Sequence, residues 1–139
     1  MFFVLYVQRK KQILNGINTG LLTLHKRLQM TEIYTLVKKD TAPQIQATLT
    51  REDDGSVINF SGGACVLKFR KKDTTNILFT LSAANVGQNF QDGIALFSFS
   101  GTNLHHNAGY YEGEIEVTYS SGVIETLYEI LEFYLRDDF

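Results

Sequence analysis

The 139-residue chain predicts an all-β fold, an antiparallel β-sandwich of seven to eight short strands. Three observations predict it. From Tyr111 to Tyr119 the chain alternates without error: Tyr111, Gly113, Ile115, Val117 and Tyr119 share one side, and Glu112, Glu114, Glu116 and Thr118 the other. A period of two gives one buried and one wet face, because successive strand side chains leave opposite sides of the sheet. Ten Phe and seven Tyr with no Trp favour strands. Turn signals recur about every 8–12 residues, the spacing of a sandwich of short strands.

The elements follow in order. Thr31 to Lys39 reads as a first strand, and Asp40-Thr41-Ala42-Pro43 interrupts it. Pro43 cannot donate to a central ladder, so an edge or a change of sheet is expected there. Gln44 to Thr50 alternates, with Ile45, Ala47 and Leu49 inward. Glu52-Asp53-Asp54-Gly55 is an Asp-Gly turn, since Gly accepts positive φ. Val57 to Phe60 reads as a short strand. Ala64 to Lys71 places Cys65, Leu67 and Phe69 inward and Lys68 and Arg70 in water. A turn at Lys72–Asn76 leads to a strand at Ile77–Leu81. An irregular loop, Ser82 to Asp92, precedes a strand at Ile94–Ser100 with Phe97 and Phe99 buried. A polar loop, Gly101 to Ala108, leads to the closing hairpin, Gly109–Tyr119 and Val123–Leu135, around Ser120-Ser121-Gly122. The pattern is that of an immunoglobulin-like sandwich.

Composition limits the function classes. At 44% hydrophobic and 20% charged residues the chain is globular rather than disordered. Cys65 is alone, which excludes an internal disulfide and a cysteine-based metal site, and suits a reducing cytoplasm. Residues 1–29 hold Arg9, Lys10, Lys11, Lys26 and Arg27 and no acid, so residues 30–139 carry a net −7. An acidic domain is a poor nucleic-acid binder, because phosphate neutralisation needs clustered Lys and Arg.

Residues 1–29 are read as a basic, apolar N-terminal arm distinct from a β-sandwich domain at 30–139. MFFVLYV precedes the basic RKK, the reverse of a signal peptide, and is far short of the roughly 20 apolar residues that cross a bilayer. No membrane association is expected. Two readings stand for this arm. Ile13 to Leu28 forms an amphipathic helix weakened by Gly16 and Gly20. Alternatively the arm is not native and translation starts at Met30, with His25 to Gln29 encoded by a purine-rich ribosome-binding sequence.

No catalytic constellation emerges, so the chain is expected not to be an enzyme and to need no cofactor or metal. His105-His106 lack a third ligand for zinc and read as an exposed loop pair. Glu112, Glu114 and Glu116 line one strand face about 7 Å apart, without the opposed walls that glycosidase carboxylates need. They read as a solvated face or a docking surface for basic side chains. Asp53-Asp54-Gly55 lacks calcium-loop spacing, and Cys65 reads as a buried small hydrophobe. Tyr110, Tyr128 and Tyr134 are placed to face outward, where aromatics bind proteins or sugars.

Four local patterns carry a resemblance to a known family. They are Asp40-Thr41-Ala42-Pro43-Gln44-Ile45 before an alternating strand; Asp53-Asp54-Gly55 through Gly62, a turn and short strand; Ala64 to Arg70, a strand ending in a basic residue; and Gly109-Tyr110-Tyr111 to Tyr119 with Ser121-Gly122. In this order, residues 31–136 resemble the N-terminal domain of phage baseplate upper proteins. The resemblance implies an immunoglobulin-like domain of the virion, assembled in the host cytoplasm, that attaches tail-tip parts. It implies docking to other tail or baseplate proteins and homo-oligomers. The helical linker and receptor-binding region of longer family members have no counterpart here, which favours an adaptor role. A carbohydrate-binding module using Tyr110, Tyr128 or Tyr134 is the alternative.

Overall fold

The computed structural model describes residues 2–6, 33–41, 43–51, 54–100 and 102–139; of residues 2–6, 128 and 129 it describes the backbone. Eight strands follow one another: β1 (Phe2–Tyr6), β2 (Ile33–Val37), β3 (Gln44–Thr48), β4 (Ala64–Lys71), β5 (Ile77–Ser82), β6 (Ile94–Ser98), β7 (Gly109–Thr118) and β8 (Ile124–Arg136). No helix forms among the described residues. The strands make a three-stranded sheet, β1-β3-β6, and a five-stranded sheet, β2-β8-β7-β4-β5. This is the predicted all-β sandwich of eight strands.

It departs from the sequence reading in three places. The pairings of β1 with β3 and of β2 with β8 are parallel, so the sandwich is not purely antiparallel. Parallel pairing needs a long connection rather than a tight turn, and a period-two pattern is silent about it. Phe2–Tyr6 forms a strand where none was predicted; the proposed helix at 13–28 lies outside the described residues. Val57 makes a single bridge, to Thr50, in place of the short strand predicted at Val57–Phe60.

The alternation placed most of the core correctly. Ile45, Ala47 and Leu49 are buried on one sheet, and Cys65, Leu67, Phe69, Tyr111, Ile115 and Val117 on the other. Phe69 is the hub, with ring centroids 4.6 Å from Phe79, 5.1 Å from Phe133, 5.4 Å from Tyr111 and 5.9 Å from Phe99. Phe99 follows β6, so this contact joins the two sheets. The Asp40–Pro43 interruption is a change of sheet, from β2 in one to β3 in the other.

Two local features orient the closing hairpin. Gly122, at φ 90°, ends a three-residue loop whose flanking Tyr119 N–H donates to the Val123 carbonyl at 2.8 Å; a left-handed residue is what such a loop requires. The buried Tyr111 donates its hydroxyl to the Asn107 carbonyl four residues upstream, at 2.5 Å. A tyrosine bonded back over the start of its strand in this way is the tyrosine corner of Greek-key sandwiches.

Candidate functional site

The outer face of the five-stranded sheet gathers most of the side chains singled out in the sequence. Register places Tyr110 opposite Tyr134, Glu112 opposite Glu132, and Lys68 and Arg70 opposite Glu114 and Glu112. These residues alternate with the core-facing ones, so all of them turn away from the hydrophobic interior.

Tyr110 and Tyr134 form a pair with ring centroids 5.0 Å apart and planes at 50°. Tyr110 is 50% exposed. The Lys72 ammonium stands 6.0 Å from the Tyr110 ring centre and donates to Glu132 Oε1 at 3.2 Å. That bond is the largest cause raising the Lys72 pKa. The hairpin brings the two tyrosines together because Gly109–Gly113 and Leu131–Leu135 pair without slippage. The Tyr128 side chain lies outside the described residues. The backbone at residue 128 lies in a bulge: between Thr126 and Ile130 β8 carries two residues more than β7 does opposite.

The glutamate row is neutralised from within the chain. Lys68 Nζ donates to Glu116 Oε2 at 2.9 Å, and Arg70 Nε to Glu112 Oε1 at 3.2 Å. The Glu116 bond is the main cause raising the Lys68 pKa. Glu112 and Glu116 side chains are only 15% and 20% exposed. Two of the three carboxylates of this face, those of Glu112 and Glu116, thus already hold cations of β4. Glu114 faces Lys68 in the register. The signal was present in the sequence, since Lys68 and Arg70 were assigned to water, but only the β4–β7 register shows which acids they meet.

At the far end of the hairpin a polar clamp appears that the sequence reading missed. Glu125 lies opposite the buried Val117. Its Oε1 accepts from the Tyr119 hydroxyl at 2.5 Å, and its Oε2 lies 3.6 Å from Arg51 Nη1. Arg51 Nη2 also donates to the Tyr119 oxygen at 3.2 Å. Burial first, and the Glu125 hydrogen bond second, raise the Tyr119 pKa. The clamp ties the segment after β3 to β7 and β8, a structural task.

The remaining candidates stay apart. His105 is exposed, whereas His106 is half-buried and stacks on Phe79 with centroids 6.0 Å apart, so the two do not form the exposed pair expected. Cys65 is buried, and burial pushes its thiol up to about 12. Among the described residues no three His, Cys, Asp or Glu side chains gather to hold a metal ion. No helix among them is long and apolar enough to cross a membrane.

No protein-family model matches the chain, and no curated protein matches it in sequence. Among solved structures, the chain is similar to the N-terminal domain of phage TP901-1 ORF48. The TM-score is 0.53 and the identity 13%, over 99% of this chain and 96% of that one. CopC from Methylosinus trichosporium OB3b aligns with a TM-score of 0.41 and 14% identity over 78% of this chain and 86% of its own. The soluble domain of PmoD from Methylocystis sp. ATCC 49242 (Rockwell) aligns at 0.39 and 15%, over 80% and 84%. Those two scores carry no argument. At 13% identity the likeness to the phage domain establishes a shared fold, and it spans nearly the whole of both chains.

Proposed function

We propose that the chain is a structural subunit of a phage virion, a baseplate or tail adaptor that works by protein–protein docking and not by catalysis. The observation that carries this reading is the end-to-end likeness in fold to a phage domain, on a chain whose sequence already resembles the baseplate upper family. The docking surface is the outer face centred on Tyr110 and Tyr134. A half-exposed aromatic pair rimmed by the satisfied ion pairs Lys72–Glu132 and Arg70–Glu112 has the layout of an interface anchor. Large amphipathic rings at the centre carry the energy, and paired charges around them exclude water at little cost.

Mass spectrometry of purified particles tests the virion reading, and absence of the chain from them sinks it. For the surface, Tyr110→Ala and Tyr134→Ala should each weaken binding to the partner recovered from particles by at least about 30-fold, on the order of 2 kcal/mol. A carbohydrate-binding role is the second reading, favoured by the same tyrosines. Their 5.0 Å separation serves a single sugar ring rather than a row of them. Glycan binding lost in either alanine variant would move the function to that class.

A further inference from the structure

The connection from β1 to β2 begins and finishes at one end of the sandwich. β1 runs parallel to β3, so Tyr6 stands beside Thr48. There the chain continues to Arg51, which meets Tyr119 and Glu125 beside the tip of the closing hairpin. β2 runs parallel to β8, and β8 starts at that same tip, so the chain enters β2 at Ile33 from the tip side. Residues 7–32 therefore join two points that both look toward the hairpin tip. Packed sheets stand about 10 Å apart, a gap that a few residues bridge. This connection is far longer than that.

The tip end is apolar. Val57, Val86, Val123 and Ile124 lie there and are 49%, 56%, 59% and 60% exposed. β8 is one-sided there as well. β2 pairs only with Glu132–Arg136, so among the described residues no strand lies against the outer flank of Ile124–Leu131. Traced backwards from Ile33, β2 points along this flank. The tip end is also acidic. Its loops, residues 49–63, 83–93 and 119–125, hold Glu52, Asp53, Asp54, Asp92 and Glu125 against Arg51 as the one base. At the other end Lys38, Lys39, Lys71, Lys72 and Arg136 balance Asp40, Asp73, Asp137 and Asp138. Residues 7–29 carry the complement of the tip end: Arg9, Lys10, Lys11, Lys26 and Arg27, no acid, and an aliphatic residue at 13, 14, 17, 21, 22, 24 and 28.

We infer that the apolar, acidic end of the sandwich is the docking site of this chain's own residues 7–32. Their aliphatic side chains lie on Val57, Val123, Ile124 and the outer flank of β8, and their cations face the acidic loops. Removing the exposed aliphatics from water supplies the energy. The charges select this end over the other, because in salt their attraction reaches only about 10 Å. The placement does not rest on the virion reading, and it leaves the Tyr110–Tyr134 face to a partner.

Limited proteolysis of the full chain tests it. Trypsin should cut the native protein slowly after Lys26 and Arg27. Ile124→Asp should speed both cuts by at least about tenfold, with an unchanged circular dichroism spectrum. Ile77→Asp, at an exposed aliphatic of the opposite end, should leave them as they are. Carbodiimide cross-linking of the wild type gives a second reading that needs no variant. Lys10, Lys11 and Lys26 should link to Asp54, Asp92 or Glu125 and not to Asp73 or Asp137. Mixing isotope-labelled and unlabelled protein tells links within one chain from links between copies. Equal cleavage of the wild type and a folded Ile124→Asp overturns the inference. So do links to the opposite end in place of this one, no links at all, or links only between copies. The virion reading fails separately, on particle composition.

Discussion

Gly113 shows at the residue scale how a strand position can be chosen by its neighbours and not by its backbone. It sits in the middle of β7 on the buried side. A Cβ there would stand 2.8 Å from Leu67 Cδ1 and 3.0 Å from Phe133 Cε2, both on fully buried side chains. Glycine weakens a strand interior, so its presence here reflects the space that the Phe69–Phe133 cluster takes. Gly113→Ala is expected to destabilise the fold by about 1–3 kcal/mol, the usual result of overpacking a filled core. Chemical denaturation reads this directly; an unchanged midpoint would mean that Leu67 and Phe133 can repack. Alternation identified Gly113 as inward, but the reason for its size is a contact with β4 and β8 that no local pattern encodes.

At the scale of the elements, the β4–β7 pair combines two codes on opposite faces. Inward, Cys65, Leu67 and Phe69 meet Val117, Ile115 and Gly113. Outward, Lys68 and Arg70 meet the glutamates. A slip of one residue would bring charges into the core and Phe69 into water, so both faces select the same register. The ion pairs themselves are only partly buried, with the cations 32% and 33% exposed, and contribute little. A double-mutant cycle on Arg70→Ala and Glu112→Ala should give a coupling of about 0.5–1 kcal/mol that shrinks in high salt. A coupling several times larger would show that this pair is effectively buried. Each strand was legible in the sequence from its own alternation. Which acid meets which base was not, because β4 and β7 lie some forty residues apart in the chain and a period of two leaves the partner open.

At the scale of the whole molecule, the groups with shifted pKa values all point toward alkaline sensitivity. Burial raises the Cys65 thiol from 9.0 to about 12 and raises Tyr111; hydrogen bonding to Glu116 raises Lys68. Each holds its proton more tightly folded than unfolded. The unfolded chain therefore binds fewer protons above its own pKa values, and stability falls with rising pH. The contribution of Cys65 is full below pH 9 and is lost as pH climbs from 9 toward 12. Urea midpoints should hold between about pH 7 and 9 and then drop, with Cys65 accounting for about 1–4 kcal/mol of the loss. Cys65→Ala should flatten that slope, and a slope unchanged in this variant would assign it to the tyrosines and lysines.

The division between sequence and tertiary structure runs along the range of the forces. The strands β2 to β8, the inward residues and the turns at Gly55 and Gly122 are dictated by alternation and backbone preference, which act over a few residues and are written locally. The tertiary structure decided what depends on which strand lies beside which. It made the two parallel pairings, spent Glu112 and Glu116 on cations of the same chain and joined Tyr110 to Tyr134. Hydrogen-bond ladders and ion pairs between distant segments set these outcomes, and their partners are chosen by register.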